Sequence, residues 1–159
     1  MSARTECTVV IDAPMDLVWD MTNDLESWPE LFTEYEKVEI LERNGNDITF
    51  RLTMRPDEDG EVHSWVSVRT PDPATRTVRA RRVETGPFEF MRLYWDYREV
   101  EGGVEMRWVQ EFHVKDEMPF DDAAMAAHLE KNSAREQAHI KKKIEEAAAA
   151  RRATAGEAR

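Results

Sequence analysis

Cysteine is nearly missing from this 159-residue sequence, with Cys7 the only one. An internal disulfide is therefore excluded, and a reducing cytoplasm is the expected compartment. Cys7 falls in a probable first strand, where a small packed residue explains it better than a nucleophile does. Long hydrophobic runs are missing too. The amino-terminal residues up to Cys7 have no apolar signal-peptide core, and nothing approaches the ~20 apolar residues of a membrane-spanning helix. Positive charge is scarce: 22 Lys and Arg against 33 Asp and Glu leave a net charge of −11. That balance argues against nucleic acid and anionic membranes as partners, because both need a basic surface. The glycine-rich dinucleotide and phosphate-loop patterns do not occur, nor does the G-x-S-x-G elbow. The four histidines, His63, His113, His128 and His139, form no H-E-x-x-H pattern and no close pair with acidic ligands, so no metal site is expected.

What is present is an aromatic-rich globular chain. Hydrophobic residues make up 41%, and five tryptophans suit a wide apolar pocket better than a minimal core. The length predicts one domain, residues 1–150, followed by a small polar tail, 151–159, expected to fray. Thr5 to Asp12 reads as a strand. Ala13-Pro14 opens a short helix that turns Val18, Trp19 and Thr22 inward, and a second helical piece carries Leu25, Trp28, Leu31 and Phe32. Six strands follow: Tyr35–Arg43, Asp47–Arg55, Glu61–Thr70, Arg76–Thr85, Phe88–Glu101 and Val104–Lys115. The turn signals between them include Asn44-Gly45 and Gly102-Gly103. A long helix runs from about Phe120 to Ala150, capped by Asp121 or Asp122. The predicted fold class is α+β: a seven-stranded antiparallel sheet wrapped around a long C-terminal helix, with two short helices after strand 1 and an internal cavity.

Two patterns point to that cavity. Side chains two apart on a strand share a face. Trp65, Ser67 and Arg69 therefore lie together, as do Trp108, Gln110 and Phe112. Burying arginine, hydroxyl and amide groups without partners is costly, whereas a chamber for a flat polar ligand would use them. The long helix also changes character halfway: its apolar stripe of Met125, Leu129, Ile140 and Ile144 is interrupted by Asn132, Ser133 and Glu136, as in a helix spanning a cavity. Alternation alone does not decide the inner face of the Trp65 strand, since Val62, Val66 and Val68 lie opposite. The bulk of Trp65 favours its own side. Arg82 has the parity of Val78 and Ala80 and also turns inward, leaving Arg79 and Arg81 outside. Arg69 is then a charged donor fork able to polarise a carbonyl and hold an enolate. Tyr35 could relay a proton. Glu34 and Glu36 flank it as carboxylates expected to be solvated.

Several blocks resemble a known family. They are Ala13-Pro14 with Val18-Trp19-Asp20, Thr22-Asn23-Asp24, Trp28-Pro29-Glu30-Leu31-Phe32, Arg82-Val83-Glu84-Thr85-Gly86-Pro87-Phe88, and Glu105-Met106-Arg107-Trp108-Val109-Gln110-Glu111-Phe112. The chain is similar to the single-domain aromatase/cyclases of bacterial type II polyketide synthases, in the Bet v 1-like, START-like helix-grip superfamily. The resemblance implies an enzyme that binds a linear unreduced poly-β-ketone and directs aldol cyclisation and dehydration, with the first ring closed between C9 and C14. It implies Arg69, Tyr35 and Arg82 as catalytic residues. Substrate would be held by Trp28, Phe32, Trp65, Ser67, Phe88, Met91, Trp95, Trp108 and Gln110. Neither metal nor organic cofactor is implied. The partners it implies are the polyketide itself and, transiently, the acyl carrier protein that delivers it, which a basic patch of Arg76, Arg79 and Arg81 is expected to meet. The competing reading is a non-catalytic lipid or isoprenoid carrier of the same fold.

Overall fold

The computed structural model describes residues 2–157. Strand β1 (Ala3–Ile11) leads through Pro14, which caps helix α1 (Met15–Asn23) from an extended conformation just outside the helix. A 3₁₀ turn (Leu25–Ser27) and the single-turn helix α2 (Trp28–Leu31) follow, with Pro29 in the first turn, where no N–H is required. The remaining strands are β2 (Tyr35–Asn44), β3 (Asp47–Met54), β4 (Ser64–Asp72), β5 (Thr77–Arg82), β6 (Phe88–Val100) and β7 (Gly103–Val114). They form one antiparallel sheet in the order β1-β7-β6-β5-β4-β3-β2, and helix α3 (Asp122–Glu157) packs chiefly along β1. This is the helix-grip arrangement that the sequence predicts.

Each element follows from local chemistry. The alternation of Ile48, Phe50 and Leu52 on β3 buries one face, and all three are under a tenth exposed. Val18 and Thr22, four apart on α1, are fully buried. Asp121 opens α3 by accepting the backbone N–H of Ala124 at 2.9 Å. The β6–β7 turn needs glycine at 103, whose φ of 137° is left-handed and where a Cβ would collide with the Ile11 carbonyl at the end of β1. Polar ties then lock α3 to the β1 edge and the residue after it. Gln137 Nε2 donates to the Cys7 carbonyl (2.9 Å), Lys141 Nζ to the Val10 carbonyl (2.7 Å), and the Asp12 N–H donates to Glu145 (2.8 Å). The Cys7 thiol is partly buried and its pKa is raised by that burial, as befits packing and not nucleophilic chemistry.

Three elements depart from the sequence expectation for reasons the structure shows. Strand β4 begins at Ser64 and not Glu61, because Asp57 accepts the backbone N–H groups of Asp59 and Glu61 and folds the segment into a turn. Strand β5 spans only Thr77–Arg82. Arg76 before it has φ 54°, and after it the N–H groups of Val83 and Glu84 both converge on the Val66 carbonyl. Helix α3 continues through Arg151, which pairs with Asp16 at 2.9 Å, to Glu157. The frayed-tail expectation for Ala158 and Arg159 lies outside the described residues. Among the described residues, no helix is long and apolar enough to cross a membrane.

Candidate active site

The sheet, α2 and the middle of α3 enclose a cavity of about 450 Å³, within the size range of small-molecule sites. All the residues expected to act on or hold substrate line it. Strand β4 contributes Trp65, Ser67 and Arg69, which settles the face ambiguity: Ser67 is 4% and Arg69 2% exposed. Arg82 enters from β5; Trp95 from β6; Trp108 and Gln110 from β7; Trp28, Phe32 and Tyr35 from α2 and the start of β2. Phe88 and Met91, three apart on β6, both reach the cavity because the β6–β7 register slips between Phe88 and Phe90. A bulge there undoes strict alternation. Phe112, on the same face as Trp108, is fully buried in a satellite cluster with Phe88, Met91 and Val114.

The aromatic rings form a continuous stack. Trp95 and Trp108 lie 4.5 Å apart at 12°, Phe32 stacks on Trp108 at 5.9 Å, and Trp28 on Trp95 at 6.1 Å. Two arginines sit against them. The Arg69 guanidinium lies against the rings of both Trp95 (4.5 Å) and Trp28 (5.0 Å). Arg82 covers Trp65 at 3.9 Å and Phe88 at 5.0 Å. Such contacts stabilise a desolvated cation by roughly 2 kcal/mol each.

Neither arginine belongs to any ion pair among the described residues. Burial lowers the pKa of each to about 10, so both remain charged at neutral pH. Two buried donors on this wall, Arg69 Nε and Trp108 Nε1, have no acceptor among the described residues. Tyr35 lies between opposite charges. Burial chiefly, and the carboxylates of Glu34 and Glu136, push its phenol well above the usual tyrosine value, against the opposing pull of Arg82 and Arg69. The phenol therefore keeps its proton and can donate it.

Sequence reasoning missed the supports. Arg69 Nη2 donates to Asn23 Oδ1 at 2.9 Å, and Tyr97, fully enclosed beside it, hydrogen-bonds Thr22 Oγ1 at 2.7 Å. Tyr97 has the parity of Trp95 on β6, a signal that was available; the approach of the end of α1 to β4 was not legible locally. Glu136 was legible only as a polar break in α3. Its buried carboxylate accepts from Thr33 N (2.9 Å), Thr33 Oγ1 (2.7 Å) and Glu34 N (3.1 Å), tying the α2–β2 loop over the cavity. Glu34, expected to be solvated, lines the cavity instead, and its pKa is raised by burial and by Glu136 despite Arg135 at 3.2 Å.

Glu136→Ala is expected to cost roughly 3 kcal/mol by urea denaturation, since charge-assisted bonds are lost and backbone donors are left unpaired. A loss below about 1 kcal/mol would show that the loop does not depend on this tie.

The expectation that no histidine pairs closely with an acid is corrected. His63 Nε2 lies 3.1 Å from Asp57 in the β3–β4 turn, with Glu61 in reach, and His113 Nδ1 lies 2.8 Å from Asp122. Both pairs are products of folding. A turn brings the first together, and the return of the chain into α3 the second.

The fold and site define a class: a helix-grip protein whose internal chamber is aromatic-walled and cationic. Comparison with known proteins narrows it. Residues 2–145 match the family model described as "Polyketide cyclase / dehydrase and lipid transport". A candidate polyketide cyclase of Streptomyces cyaneus is 55% identical over 146 residues, which are 92% of this chain and 96% of that protein. Another from Streptomyces halstedii is 60% identical over 109 residues, 69% of this chain and all of that protein. Among solved structures, the Zhui aromatase/cyclase of Streptomyces sp. R1128 superposes with a TM-score of 0.77 at 25% identity, covering 95% of this chain and 96% of that one. The chain belongs to the polyketide cyclase/dehydrase and lipid-transport family.

Proposed function

We propose that this protein is a polyketide aromatase/cyclase that receives a linear, unreduced poly-β-ketone and closes its first ring between C9 and C14. The observation that carries this reading is a pair of arginines, Arg69 buried and Arg82 half-buried, neither ion-paired among the described residues, on the wall of a tryptophan-lined cavity. A poly-ketone has acidic methylenes, many carbonyl acceptors and several competing closures. Stacked rings hold one folded conformer, and proximity then makes one closure dominate. A methylene proton leaves to water, Arg69 stabilises the enolate that results, and its carbon attacks the acceptor carbonyl. As the C–C bond forms, the acceptor oxygen gains charge and takes a proton from Tyr35. Loss of water and enolisation of the ring ketones then complete the aromatic ring. Arg82, Ser67 and Gln110 hold carbonyl oxygens along the chain. The mechanism calls for no metal or organic cofactor, and the single cysteine supports a cytoplasmic setting.

The test is to supply a minimal polyketide synthase with ¹³C-labelled acetate and map the new bond in the product by NMR. A C9–C14 bond is expected. Another first bond would overturn the regiochemistry, and a product mixture unaffected by the protein would favour a lipid carrier.

We further propose that the substrate arrives on an acyl carrier protein that meets the outward arginines of β5. Arg79 and Arg81 are exposed, with Arg79 over the Tyr94 ring at 4.8 Å, whereas Arg76 is half-buried against Trp19 at 5.2 Å. On a chain of net charge −11, a carrier of the same sign needs such a local patch. Reversing Arg79 and Arg81 to Glu is expected to slow turnover of carrier-bound substrate alone, most at low salt. Equal effects on carrier-bound and free analogues would reject the contact.

A further inference from the structure

We infer that Asn23 is a positioning residue whose neutrality is functional: it holds the buried Arg69 guanidinium in place without cancelling its charge, so that the cavity presents a full cation to an anionic ligand oxygen.

The amide's orientation is fixed from both sides. Asn23 Nδ2 donates to the Trp19 carbonyl at 2.8 Å, a group that only accepts. Arg69 Nη2, a group that only donates, meets Oδ1 at 2.9 Å. The neighbouring contacts repeat the theme. The Tyr97 phenol beside the guanidinium is neutral and is itself held by Thr22, whose hydroxyl is bonded to the Val18 carbonyl at 2.7 Å. Trp28, one of the two rings against Arg69, is pinned by its Nε1–H to the Thr22 carbonyl at 3.1 Å. The last turn of α1 thus places the cation and one of its aromatic covers together.

An acid was available one residue away. Asp24 turns outward, where its carboxylate accepts the Ser27 hydroxyl at 2.7 Å in an exposed setting. A carboxylate at 23 would give Arg69 a close partner and relieve much of the penalty of burying it alone. It would also spend the cation's field on the protein, at a buried guanidinium where screening is weak. The amide supplies geometry and leaves the charge to the ligand.

The proposal rests on the cyclase reading only for turnover; ligand binding tests it separately. Asn23→Asp keeps the side-chain shape and adds the missing counter-ion, whereas Asn23→Ala removes the positioning bond and leaves the cation. Binding of anthraquinone-2-carboxylate and of its methyl ester is read by tryptophan quenching, alongside cyclisation. The wild-type protein is expected to prefer the carboxylate by about tenfold. Asn23→Asp is expected to abolish that preference and lower regiospecific cyclisation by about 10². Asn23→Ala should retain the preference and lose roughly tenfold in turnover.

Wild-type preference and turnover in a folded Asn23→Asp variant would overturn the proposal. If that variant does not fold, unchanged turnover in Asn23→Ala overturns it instead. A wild type that prefers the carboxylate yet cyclises nothing would remove the enzyme reading and leave the neutral cradle standing.

Discussion

Arg69→Ala is expected to lower directed ring closure by a factor on the order of 10²–10³ while leaving a folded protein. The loss follows from geometry: the guanidinium lies on the cavity wall against two tryptophans, with an Nε–H that no atom of the described residues accepts. The fold should survive because a buried cation without a carboxylate is a burden on stability, and its removal lifts that burden. The pH dependence separates the two effects. Burial lowers the folded-state pKa of Arg69 to about 10, below the ordinary guanidinium value. From about pH 10 up to that value, the unfolded chain holds the proton more often than the folded one. The group's contribution to stability therefore grows as pH rises through this window. Activity requires the charged form and should fall through the same window. Arg69→Lys keeps a charge but not the planar fork, and should recover only part of the rate. A folded Arg69→Ala variant with normal rate and product would remove this residue from the mechanism.

Replacing the stacked tryptophans should have the second-largest effect, of a different kind. Trp95 touches Trp28, Trp108 and the Arg69 guanidinium at once, while being only 5% exposed. Trp95→Ala would cost on the order of 3–5 kcal/mol, a large share of a typical domain's stability. Trp95→Leu, Trp28→Leu and Trp108→Leu keep more volume and should yield folded protein. In those variants the substrate loses the flat walls that select one conformer. The regiospecific product is expected to fall roughly 10–100-fold relative to misfolded shunt products, before total polyketide consumption declines. Product chromatography checks this. A clean drop in rate with an unchanged product ratio would mean that the rings do not shape the chain. A flat polyphenol that quenches no tryptophan fluorescence in the folded wild type would place the aromatic chamber itself in doubt.

How far the sequence revealed this site depended on how local each signal was. Alternation on β3 and the inward parity of Val78, Ala80 and Arg82 are local, and the structure follows them. On β4 both faces carried apolar residues, so parity was ambiguous. Val66 and Ser67 are in fact both buried, on opposite faces of the same strand. The register slip on β6 is set by pairing with β7, and no pattern within β6 announces it. The Glu136 tie and the Asn23 cradle join residues 103 and 46 positions apart. Their chemistry was visible in the sequence only as polar residues interrupting apolar faces. Polar breaks in otherwise core-like elements were thus the legible trace of the site, and their partners needed the fold.

The most direct test of the account is a side-by-side reconstitution. A minimal polyketide synthase is run alone, with the wild-type protein, and with folded Arg69→Ala at matched concentration, and the full product profile is quantified. The account predicts a scattered mixture of shunt products from the synthase alone, one dominant ring pattern with wild type, and a return to the scattered mixture with the variant. Identical profiles in all three reactions would contradict it.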